Sequence, residues 1–195
     1  MAMLIAGSDV SGIEKISEHR VIAIIFGEEE NLKALHREIG VPYIHMSKIN
    51  DKKKNKVIQR LEFDEITHFG FSFQVDKMRI VHEIHNHKKR LDKYEDIGSI
   101  YRFFDQELLK KVQPILEPKV MVFKKHFNEL CLEVDEDMMH TSRNWGLTNH
   151  IGNGIAQQLS DATAYCHNNE IDIPGLKTFD FSQDLEKIMK TNLLK

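Results

Sequence analysis

Six consecutive residues, 21–26 (Val-Ile-Ala-Ile-Ile-Phe), carry no polar interruption. A strand with one wet face alternates apolar and polar side chains; one without alternation is buried on both faces. The run, with Arg20 before it, therefore reads as a central strand, and Gly27-Glu-Glu-Glu-Asn31 ends it. Residues 3–8 form a shorter apolar strand placed to pair with it antiparallel, and Asp9-Val-Ser-Gly12 is a turn signal directly after it. Strand-like and helix-like segments then mingle to the end of the chain. That pattern predicts an α/β fold, a mixed sheet with flanking helices. A length of 195 residues predicts a single domain over 1–195.

The remaining elements follow from periodicity. Leu32, Leu35 and Ile39 keep helical spacing until Gly40-Val-Pro42 stops them. Residues 43–46 are a short extended piece, and 50–63 a charged helix with Val57, Ile58 and Leu61 as its stripe. Residues 67–75 read as a strand with Phe69, Phe71, Phe73 and Val75 on one face. Helices are predicted over 80–94 and 97–113, the second broken by Pro114 to Pro118. In 130–134, Leu130, Leu132 and Val134 face one way, and Cys131, Glu133 and Asp135 the other. Residues 140–153 read as a polar loop. A helix over 155–167 buries Ile155, Leu159, Ala162 and Cys166, and an extended piece at 173–181 precedes a helix over 183–194.

Three acids stand where an acid does little for the fold. Asp9 ends the first strand, Asp135 ends a later one, and Asp161 lies in an apolar helix beside Ser160, Ala162 and Ala164. Small neighbours let that helix pack closely on a sheet, and a carboxylate near the interior must be paired, protonated or metal-bound. Carboxylates from distant segments are what a two-cation phosphoryl-transfer site requires, and oxygen ligands suit magnesium. The plainer readings are a turn residue at Asp9, a solvated position at Asp161, and an acidic loop for Glu133, Asp135, Glu136 and Asp137.

Asp9-Val-Ser-Gly12 resembles the Asp-Glu-Ser-Gly opening of a group of ribonuclease H-like proteins known mainly as domains of unknown function. Further likenesses follow in order: residues 21–27, Tyr43-Ile-His-Met-Ser47, residues 71–77 ending in Val75-Asp-Lys77, Glu133-Val-Asp-Glu136, and Gln158-Leu-Ser-Asp-Ala162. They span roughly residues 3–167. The chain departs from the group's pattern at Val10, Lys48 and Ser160. The resemblance implies a ribonuclease H-like fold and a nuclease or related phosphoryl-transfer enzyme dependent on Mg²⁺ or Mn²⁺. It implies Asp9 bridging the cations, with Asp135 and Asp161 completing the shell and Glu133 as the alternative second ligand. It also implies that Ser11 and Gly12 supply the turn, that His45 assists proton transfer or orients a phosphate, and that Ser11 and Lys77 contact the substrate, Lys77 at a phosphate. The alternative is a non-catalytic nucleic-acid- or protein-binding domain on the same scaffold.

Composition bounds the partners. The hydrophobic fraction of 41% and charged fraction of 29% are ordinary for a globular chain. No apolar run approaches the ~20 residues that cross a bilayer, and neither a signal peptide nor a disulfide framework is indicated by an N-terminus without a basic region and two cysteines. A cytoplasmic, membrane-free setting is expected. The net charge of −3 weighs against nucleic acid as partner without excluding it. Lys52 to Lys54, Lys88 to Arg90 and Lys124-Lys125 read as solvated faces. His82-Glu-Ile-His85-Asn-His87 lacks zincin spacing, Gly152-Asn-Gly154 reads as a helix cap, and Trp145 either stacks a base or fills the core.

Overall fold

The computed structural model describes residues 3–11, 19–61, 66–74, 97–127, 129–134, 148–151 and 154–188. Its elements are β1 (Met3–Ser11), β2 (His19–Glu28), α1 (Glu29–Ile39), α2 (Asp51–Ile58), β3 (Thr67–Gln74), α3 (Ile97–His126), β4 (Glu129–Val134), β5 (Thr148–Ile151), α4 (Ile155–Asn168), β6 (Lys177–Asp180) and α5 (Ser182–Ile188). The six described strands form one mixed sheet in the order β5-β4-β1-β2-β3-β6. β2 is antiparallel to both of its neighbours, and the other pairings are parallel.

The uninterrupted run in β2 is buried from Val21 through Phe26, as a strand covered on both faces must be. Its odd residues face one layer. Ile25 packs in a core with Leu32, Leu35 and Ile39 of α1, Ile44 and Met46 of the following loop, Val57 of α2, and Ala156, Leu159, Ala162 and Cys166 of α4. Val21 and Ala23 meet Ala164 of α4. The even residues face the other layer, where the Phe26 ring lies 6.2 Å from Phe69 and 5.4 Å from Phe123 of α3. Phe71 continues that layer, 5.3 Å from Phe179 of β6.

Helix α1 begins with Glu29 and Glu30 and ends with His36 and Arg37, the order that its dipole favours. Gly40 closes it in the left-handed conformation that Gly-Val-Pro predicts. Asn50 caps α2 by accepting the Lys53 N–H at 3.0 Å.

Four expectations need correction. Asp9-Val-Ser is not a turn: β1 runs on to Ser11, pairing Asp9 with Ala23 and Ser11 with Val21. The long β2 supplies partners for those extra residues. Pro114 and Pro118 do not break α3, which runs 30 residues through both. Val112, Leu116 and Val120 form a buried stripe four residues apart, while both prolines lie on the exposed side, where carbonyls freed by a missing N–H can bond to water. The polar loop over 140–153 contains β5, which pairs with β4 despite its polar Thr-Asn-His sequence. The charged helix is shorter than its pattern, ending at Ile58, although Leu61 beyond it remains buried. The predicted helix over 80–94, the His82–His87 cluster, Lys88 to Arg90, Trp145, Gly12, Lys77 and Asp135 lie outside the described residues. No described helix is long and apolar enough to cross a membrane.

Candidate metal and phosphate site

Helix α4 is the element on which the site is assembled, and its contacts begin at its first turn. Gly154, the N-cap residue, has no side chain to cap with. Glu133 of β4 takes over: its Oε2 accepts the Ala156 N–H at 2.8 Å and the Gln157 N–H at 3.2 Å. A carboxylate at a helix N-terminus satisfies otherwise unpaired N–H groups and complements the dipole. A Cβ on Gly154 would lie 2.0 Å from Cδ of Glu133, so the missing side chain makes room for this cap. Gly70 of β3 does the same at the other end of α4, where a Cβ would lie 1.9 Å from Nδ1 of His167.

Further along α4, Gln158 and Asp161 stand three residues apart on one side of the helix and hold the loop after α1. Oε1 of Gln158 accepts the Ile44 N–H at 2.9 Å and lies 3.3 Å from Nε2 of His36. Oδ2 of Asp161 accepts the Met46 N–H at 2.6 Å. The loop residues alternate accordingly. Ile44 and Met46 turn into the core, and Tyr43 and His45 turn outward. Nδ1 of His45 lies 3.4 Å from Oδ2 of Asp161 and 3.3 Å from Oγ of Ser47. Both contacts fall on Nδ1, which leaves Nε2 without a partner among the described residues. A carboxylate behind Nδ1 fixes the orientation of an imidazole whose Nε2 does chemistry.

Register places two more positions on this face. Asp9 pairs with Ala23, and directly opposed residues project to the same side of a sheet. Ala23 packs on Ala164, so position 9 belongs to the face covered by α4. Gly7 of β1 pairs with Glu133, whose bonds to the α4 N-terminus lie on that same face. Thus β1 and β4 bring positions 9 and 133 to one side, and α4 lies over both carrying Asp161. Asp161 is not a freely solvated helix position, since its side chain is 20% exposed.

Among the described residues no three His, Cys, Asp or Glu side chains gather in a metal-binding group. The donors on this face nonetheless suit a hard cation. Oγ of Ser160 and Oε1 of Gln157, in the first turns of α4, are buried without a hydrogen-bond partner among the described residues. Buried polar atoms normally have one. Oδ1 of Asp161 accepts no hydrogen bond among the described residues. Oxygen donors of this kind match Mg²⁺ or Mn²⁺ and the waters that such ions keep.

Sequence reasoning missed the part played by Gln158. Its signal was present in the apolar-polar-apolar alternation of Ile44-His45-Met46, which exposes one edge of extended backbone needing acceptors.

No family model and no curated protein matches the chain. Among solved structures it is similar to ribonuclease H2 from Pyrococcus horikoshii OT3, at 14% identity and a TM-score of 0.50, over 97% of this chain and 77% of that one. A chain of the PCNA:RNase HII complex from Archaeoglobus fulgidus is similar at 11% identity and a TM-score of 0.49, over 96% and 77%. The fold is ribonuclease H-like. The mixed sheet, with one antiparallel strand between parallel neighbours, agrees with that assignment, and at such identity the likeness speaks to the fold alone.

Proposed function

We propose that this chain is a divalent-metal-dependent nuclease, or a related phosphoryl-transfer enzyme, built as a single domain over residues 1–195. The observation that carries the reading is the shared face. Position 9 of β1 and Glu133 of β4 lie on the side of the sheet that α4 covers, and α4 carries Asp161. Asp9, Asp161 and either Asp135 or Glu133 would hold Mg²⁺ or Mn²⁺. When bound, the cations polarise the scissile phosphate and lower the pKa of an attacking water. The protein's own groups do the rest. The Met46 N–H fixes Asp161, and outer hydrogen bonds of this kind orient ligating carboxylates. Asp161 and Ser47 hold Nδ1 of His45, which leaves Nε2 to accept a proton or bond to a phosphate oxygen. Ser11 and Lys77 are assigned to substrate contact.

A second reading has its own support. Oδ2 of Asp161 and Oε2 of Glu133 both accept backbone N–H groups, as purely structural acids would. On that reading the domain binds nucleic acid or protein without cleaving anything.

Incubation with labelled RNA, DNA and hybrid duplex in Mn²⁺ separates the two. The nuclease reading expects slow cleavage of at least one substrate, lost in Asp9→Asn. Cleavage of none, or cleavage that survives Asp9→Asn, favours the binding domain.

A further inference from the structure

The segment that supplies His45 continues along α4 in a fixed direction. Gln158 meets Ile44, Asp161 meets Met46, and Tyr165, one turn further, lies under Lys54 with Nζ 5.4 Å from its ring centroid. Residues 43–54 therefore track one side of α4 from its N-terminal to its C-terminal half. Their outward side chains are of two kinds. Tyr43 is 40% exposed and stands edge-on to His45 at 6.3 Å. Lys48, Lys52 and Lys53 follow, all exposed. Residues 43–56 hold five lysines and one acid, a local +4 in a chain of net −3. Lys54 turns back, 3.6 Å from Asp51, and Nζ of Lys56 lies beside Gly40 at the end of α1.

An exposed aromatic at one end and cations beyond it are the two parts of a single-strand binding surface. Bases stack on the ring while lysines follow the phosphates. A duplex offers its phosphates but keeps its base faces stacked, so it can use only half of such a surface. We propose that Tyr43, Lys48, Lys52 and Lys53 form a track for single-stranded nucleic acid that leads past His45, with Tyr43 stacking on a base. The proposal rests on reading the site as one that acts on nucleic acid, and it names the substrate as single-stranded at the point of attack.

Binding is measured by fluorescence anisotropy in EDTA, which keeps it apart from cleavage. The probes are a labelled oligouridine of about twelve nucleotides and a duplex of equal length. The single strand is expected to bind more tightly than the duplex. Tyr43→Ala should weaken it about tenfold, with Tyr43→Phe within about twofold of the parent, because stacking needs the ring and not the hydroxyl. The paired change Lys52→Ala and Lys53→Ala should reduce the slope of log K against log salt by about 1.4, two phosphate contacts' worth on a single strand. Tyr43 is exposed, so its replacement leaves the core untouched, and melting temperatures confirm that each variant is folded. Unchanged binding by Tyr43→Ala, or a duplex bound as tightly as the single strand, overturns the track even if cleavage in Mn²⁺ is intact. Tyr43-dependent single-strand binding without cleavage in Mn²⁺ supports the track and removes the nuclease reading.

Discussion

Asp161→Asn is expected to abolish metal-dependent cleavage while leaving the melting temperature near that of the parent, whereas Asp161→Ala loses both activity and stability. The two variants divide what the carboxylate does. Its Oδ2 accepts the Met46 N–H at 2.6 Å, and an amide oxygen in the same place can accept that bond. The loop then stays docked, with Ile44 and Met46 in the core. What the amide cannot supply is the negative charge that holds His45 and would bind a cation. Losing an outer partner of a metal ligand typically costs ~10–100-fold in activity, and losing the ligand itself should exceed ~100-fold. Alanine also strips the part-buried Met46 N–H of its acceptor, a loss of roughly 1–3 kcal/mol. Melts in metal-free buffer and cleavage in Mn²⁺ are the two readouts. An Asp161→Asn protein that cleaves normally would make Asp161 a loop clamp and nothing more.

The second large effect is acid destabilisation through His68. This residue of β3 is 1% exposed beneath α4, and burial pushes its pKa from the ordinary 6.5 down to about 4. The hydrogen-bond pattern explains why the ring stays neutral. Oγ1 of Thr163 donates to the Leu159 carbonyl at 2.9 Å and so serves as acceptor towards Nδ1 of His68 at 3.3 Å. The proton therefore sits on Nδ1, and Nε2 keeps a buried lone pair with no partner among the described residues. Protonation would add a charge and a second N–H with no acceptor. The folded pKa is below the unfolded one, so between them the unfolded chain takes up a proton that the folded chain refuses. The contribution to stability is complete above pH 6.5 and is lost as pH falls towards 4, a total of about 3 kcal/mol. Urea melts across that range should show the loss, and His68→Leu should flatten it. Identical pH dependence in the two proteins would clear His68 of the role.

Much of the layered fold can be read along the chain because its signals are local. The uninterrupted β2 run, the Leu32-Leu35-Ile39 stripe with its glycine stop, and the small-residue helix α4 each carry their own pattern. The failures share a cause: the deciding partner lies elsewhere in the sequence. Thr148 to Ile151 looks like loop because its pattern is polar, and it becomes a strand because β4 offers an open edge. Pro114 and Pro118 look like breakers, yet the helix packs against β3 and β4, and burial of its Val112, Leu116 and Val120 stripe carries it through both prolines.

The site divides the same way. Tyr43-Ile-His-Met-Ser47 and Gln158-Leu-Ser-Asp-Ala162 stand out as separate pieces, but only the fold joins them, through two backbone-to-side-chain hydrogen bonds spanning 114 and 115 residues. The alternation starting at Leu130 puts Glu133 on the correct face of the sheet. It cannot reveal that Gly154, by lacking a side chain, draws Glu133 into capping α4.

The measurement closest to the central claim is Mn²⁺ binding, counted from the free-ion electron paramagnetic resonance signal as metal is added to the protein. Loss of free-ion signal is expected with the parent chain, and most of that binding should disappear in Asp9→Asn and in Asp161→Asn, since each removes a charged oxygen ligand. A parent protein that leaves the Mn²⁺ signal unchanged at millimolar metal, or binding indifferent to both substitutions, would contradict the proposal that the α4 face of the sheet is a metal site.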